Sequence, residues 1–162
     1  MRRGLGYSVA MGVLVALALW GCGGGSEDTA EPVPRLTKGQ LVNKMGKSCQ
    51  AHTDQQVEAI EAFDKKHGIP QGVDREDATD AQLERELVEV MLPIVRDNIR
   101  DLEELRPPRG QEDDFEAFLR ALEHGVAYSE RDPSWLTTGS IEPFSKARAL
   151  SWKLGTALCG QA

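Results

Sequence analysis

The residues of this 162-residue chain best equipped for chemistry are its three cysteines and three histidines, with Met45 close by in sequence. Cys49 and His52 stand one helical turn apart, and Met45 lies one turn before Cys49. With His124 brought in from another helix, such a set has the donors of a metal or haem pocket. The surrounding sequence argues against that use. There is no Cys-X-X-Cys-His haem signature, and the paired Glu-X-X-His motifs of di-iron bundles are missing, since Glu123 directly precedes His124. A half-buried, hydrogen-bonded His52 is the simpler reading, and His67 falls in a last helical turn, where a cation complements the dipole. The expectation is therefore no metal and no cofactor.

Nucleophilic and acid–base chemistry find no better footing. No Gly-X-Ser-X-Gly elbow or Ser-X-X-Lys pair marks a nucleophile, and no glycine-rich loop joins a strand to a helix to cradle phosphate. Cys-X-X-Cys is absent, which removes the usual redox motif. Glu84, Glu86, Glu89, Asp101, Glu103 and Glu104 are interspersed with Arg85, Arg96, Arg100 and Arg106, the pattern of a solvated helix face. Trp135 and Trp152 suit either partner contacts or the end of a small core. These features predict a non-catalytic protein that binds or interacts, with a metal or haem carrier in the bundle core as the alternative.

Cys22 has a different setting. Arg2 and Arg3 precede an uncharged apolar stretch, Val9 to Leu19, which ends Leu19-Trp20-Gly21-Cys22. A charged start, a short apolar core and a small residue before the cut make an export signal. Ending on cysteine, it resembles the lipobox of bacterial lipoproteins. That resemblance implies cleavage before Cys22, a diacylglycerol thioether and palmitate-type acylation on it, and a mature protein tethered to the cell membrane on its extracytoplasmic side. The competing reading is an uncleaved anchor. The strongly apolar part, Val9 to Trp20, is short against the roughly 20 residues a bilayer core requires. In both readings the arginines stay inside and the rest of the chain lies outside.

The formal net charge is −7, and loss of residues 1–21, which hold two arginines and no acid, makes it −9. Nucleic acid and anionic lipid surfaces both call for a basic face, so neither is expected as a partner. The expected partners are the membrane, through the N-terminal lipid, and an extracellular protein or small ligand. Residues 22–35 read as a flexible acylated tether of glycines, charges and prolines. Residues 36–162 suit one domain with one core.

Within that domain the apolar spacing predicts four helices. Thr37 to Gln40 is a capping box, followed by Leu41, Met45, Cys49, Val57, Ile60 and Phe63 and closed by Gly68 and Pro70. A second box, Thr79 to Gln82, opens a stripe from Leu83 to Leu105, with Pro93 disturbing the helix but not ending it. The third helix runs from Gln111 to about Ser129 behind Glu112, Asp113 and Asp114. Asp132 to Trp135 reads as a turn or a single helical turn. The last helix spans Ile141 to Leu158 with Pro143 in its first turn. The prediction is an all-α, four-helix up-and-down antiparallel bundle. Outside the cytoplasm, with Cys22 acylated, Cys49 and Cys159 are an even pair in an oxidising compartment and are expected to form a disulfide joining the first and last helices. Two free buried thiols are the alternative.

Together these landmarks resemble a group of small, functionally uncharacterised exported lipoproteins of actinobacteria. The matching residues are Leu36-Thr37-Lys38, Cys49, Leu92-Pro93-Ile94, Leu105-Arg106-Pro107-Pro108, Asp132-Pro133-Ser134, Pro143-Phe144, Ala147, Gly155 and Cys159-Gly160. The resemblance implies a disulfide-closed helical domain on a lipid anchor and supplies no activity. The chain departs from the group at Trp152-Lys153-Leu154-Gly155, where relatives tend to place an aromatic just before the glycine.

Overall fold

The computed structural model describes residues 34–70, 77–138, 142–157 and 159. Of the two units into which the chain divides, residues 1–32 lie outside the described residues, and with them the expected signal peptide and Cys22. The fold of residues 33–162 follows.

Helix α1, Lys38–His67, begins at the predicted capping box. The Thr37 hydroxyl accepts from the Gln40 amide, and the Gln40 side chain accepts from the Thr37 amide. Gly68 ends it in the left-handed conformation at φ 67°, its N–H donating to the Asp64 carbonyl. Leu41, Met45, Cys49 and Phe63 are buried on its inner face. Between Cys49 and Phe63, however, α1 buries nothing, and Val57 is 53% exposed. The apolar spacing is continuous there, but no neighbour among the described residues covers it, so Val57 is not a core residue.

Helix α2 is one rod in three parts: an α segment Asp80–Glu86, a π-helical stretch Leu87–Met91 and an α segment Leu92–Glu103. Thr79 and Gln82 form the second capping box. The disturbance expected from Pro93 takes the form of the π stretch just before it, where the Leu92 N–H reaches back to the Leu87 carbonyl. Proline has no N–H to give, and its ring crowds the carbonyl four residues earlier; a widened turn relieves the crowding while the helix continues. Leu87, Leu92, Ile94, Val95, Ile99 and Leu102 are buried along it.

Helix α3, Glu112–Arg131, carries Glu112, Asp113 and Asp114 in its first turn, where the helix dipole favours negative charge. It buries Phe115, Phe118, Ala121, Leu122, Gly125, Val126 and Ser129. Helix α4 is a single turn, Trp135–Thr138, set up by Pro133 and Ser134. Helix α5, Ser145–Leu154, follows.

This arrangement corrects the expected four-helix up-and-down bundle. The described residues form five helices, because the turn at Asp132–Trp135 is followed by a helix of its own that packs against the first segment of α2. The last helix is also shorter at both ends than predicted. Pro143 lies in the turn ahead of it, and Gly155 at φ 100° stops it at Leu154. Apolar spacing alone carried the prediction on to Leu158; the left-handed glycine overrides it.

The long helices pack in sequence, α1 on α2, α2 on α3 and α3 on α5, around one core. The Leu36 amide bonds to the Arg106 carbonyl at one end, while His52 faces Asp101 further along, so α1 and α2 run in opposite directions. Phe118, Leu41, Met45, Leu92, Leu102 and Leu154 fill the centre.

Candidate functional site

Cys49 and Cys159 are joined by a disulfide, with their Cα atoms 5.1 Å apart and both residues buried. Because α5 stops at Leu154, the bond does not join the first and last helices. It ties the middle of α1 to the tail beyond the last helix. The polypeptide reverses out of α5 at Gly155, where the Thr156 amide bonds back to the Ser151 carbonyl, and this brings Cys159 under α1. The Cys159 sulfur lies 3.4 Å from the Met45 carbonyl oxygen.

Polar groups from two helices gather at the bond. Asn98 of α2 donates its side-chain N–H to the Cys49 sulfur at 3.6 Å and accepts from the Ser48 hydroxyl at 3.0 Å. His52, a turn beyond Cys49, places Nε2 2.9 Å from the Asp101 carboxylate. Its Nδ1 is buried and has no hydrogen-bond partner among the described residues. Cys49, His52, Thr53, Gln56 and Asn98 line a cavity of about 20 Å³ here, the room needed by a single water molecule.

Chemically, this site is closed. Cys49 is spent in the disulfide and offers no thiolate, and the Met45 side chain is fully buried in the core. His124 is exposed on α3, on a separate groove shared with α5. Met45, His52 and His124 are therefore not brought together, and no cluster of three or more histidine, cysteine or acidic residues suited to a metal exists among the described residues.

The carboxylates divide differently from expectation. Glu89, Asp101, Glu103 and Glu104 are exposed, as a solvated face requires. Glu86 is buried, only 4% exposed, and so is Asp64 at 2%. Both keep interactions within the chain. Glu86 lies one turn after the half-buried Leu83 and Asp64 one turn after the half-buried Ile60, so spacing sets them beside the inner face and tertiary packing decides their burial. The tryptophans part company too. Trp135 is half-buried, donates its indole N–H to the Ser129 hydroxyl at 3.0 Å and meets the Phe144 ring edge-on, closing the core. Trp152 is 66% exposed.

At the start of the described residues, Arg35 donates to Glu112 at 2.6 Å and to the Pro107 carbonyl at 3.3 Å. The Glu112 carboxyl titrates below the ordinary glutamate range. Its own backbone N–H at the start of α3 is the largest cause; desolvation, next in size, opposes it, and the Gly110 N–H and the Arg35 charge add to the lowering.

Two open grooves flank α3. One, of about 390 Å³, lies towards α2 between Arg96, Ile99, Glu123, Val126 and Glu130. The other, of about 320 Å³, lies towards α5. No helix among the described residues is long and apolar enough to cross a membrane. No family model, curated protein or solved structure matches the chain.

Proposed function

We propose that this protein is a lipid-anchored, extracytoplasmic helical domain that binds or interacts without catalysing a reaction. The observation that carries the reading is the Cys49–Cys159 disulfide. Disulfides of this kind persist in oxidising compartments and are rare in the cytosol. The bond therefore favours export, and the Arg2-Arg3 start, the Val9–Leu19 stretch and Cys22 read as the signal that directs it. The resemblance to exported actinobacterial lipoproteins points the same way. In this reading the lipid sits on Cys22 and residues 22–35 hold the domain away from the membrane surface.

The intact mass of the protein from its native membrane, before and after reduction and alkylation, tests this. A chain beginning at Cys22 with added diacylglycerol and acyl mass, taking up two alkyl groups only after reduction, is the expected result. A chain beginning at Met1, or two thiols alkylated without reduction, would overturn it.

A further inference from the structure

We propose that the groove between α3 and α5 is a binding site for a small phosphorylated molecule. It is lined by Ala117, Arg120, Ala121 and His124 of α3, by Pro143 in the turn ahead of α5 and by Lys146 in its first turn. Arg120 and Lys146 are cations and His124 is a third N–H donor, all exposed and approaching one space from two elements. No carboxylate is among the lining residues, although the chain as a whole carries −7. Glu116, one turn back, pairs with one guanidinium nitrogen of Arg120, and Glu142 pairs with Arg148. The side chains of His124 and Lys146 take part in no ion pair or hydrogen bond among the described residues.

Guanidinium binds phosphate oxygens in pairs and ammonium acts as a point charge, so these donors suit a compact, doubly charged anion. The positive end of α5, whose first turn has no side-chain cap, adds to the field. The floor of Ala117, Ala121 and Pro143 is apolar and gives the organic part of a ligand a surface to cover. A volume of about 320 Å³ is at the small end of the range for such sites. A phosphate monoester with a small apolar body fits both halves.

This deepens the reading of the domain as a binding module, and its test is separable, because the mass of the Cys22 species reports the anchor whatever happens in the groove. Calorimetric titration of the full chain in neutral detergent with phenyl phosphate and with inorganic phosphate measures both halves. Phenyl phosphate is expected to bind more tightly than inorganic phosphate, and added sodium chloride to weaken both. Lys146→Glu and Arg120→Gln should each weaken binding about tenfold or more, with unchanged melting temperature because both side chains are exposed. Lys153→Ala, whose ion pair is with Asp114 and which does not itself line the groove, should leave it unchanged. Phosphatidic acid added to the micelles separates the sources. Displacement of phenyl phosphate would assign the phosphate to a lipid headgroup, and no displacement to a soluble monoester. Absence of binding by either phosphate, or binding indifferent to both Lys146→Glu and Arg120→Gln, would overturn the proposal.

Discussion

The Phe144 ring occupies the space a side chain on Gly125 would need: a β carbon there would stand 2.5 Å from two of its ring carbons. Gly125 is buried in the middle of α3, where glycine would ordinarily be a weakness of about 1 kcal/mol against alanine. It is tolerated because it lets the residue that opens α5 reach the α3 backbone. Gly125→Ala should therefore destabilise the domain by about 1–3 kcal/mol despite the gain in helix propensity. Urea denaturation measures this, and a midpoint that rises would show that Phe144 moves aside freely.

The disulfide closes a sequence separation of 110 residues and secures a tail that extends past the last helix. Cys49→Ser with Cys159→Ser should lower stability by about 2–5 kcal/mol. The loss should begin at the tail, so hydrogen exchange at Thr156 and Cys159 should speed up more than at Leu122 in α3. Equal acceleration at both places would mean that the bond stabilises the whole domain and not the tail in particular.

Glu112 links pH to stability. Its folded pKa lies below the unfolded value of about 4.3, so the carboxylate contributes stability above that value. The contribution disappears as pH falls through the lowered folded value. Wild type should exceed Glu112→Gln in stability at pH 7, with the gap closing below about pH 4. Arg35→Ala should return only part of the shift, because the Glu112 backbone N–H outranks the arginine among its causes. Carboxyl titration by NMR in the two proteins measures that part.

Thr79 begins α2 through a reciprocal pair of bonds with Gln82. Thr79→Ala should cost about 1 kcal/mol. Thr79→Ser, which keeps the hydroxyl, should cost much less. Thermal melts of the two variants distinguish loss of the cap from loss of the methyl group.

How far the sequence alone specifies this protein depends on the range of the interaction concerned. Helix starts at Thr37 and Thr79, the stop at Gly68 and the acidic first turn of α3 are legible because each is settled within about four residues, by capping bonds, left-handed glycine or the helix dipole. The buried faces of α2 and α3 follow from apolar spacing for the same reason. The charge balance is a property of composition. Tertiary structure alone decided the rest. Val57 continues the α1 stripe yet faces solvent, and Glu86 belongs to a charged run yet is buried, because burial depends on which helix lies opposite. The sequence left a turn or a single helical turn open at Asp132–Trp135; the structure has the helix Trp135–Thr138, packed against α2. His52 was separated from His124 and given to Asp101, and Cys159 was carried past the end of α5 before meeting Cys49. These pairings join residues roughly 50 to 110 positions apart. At such separations no local preference selects a partner; the packing of whole helices does.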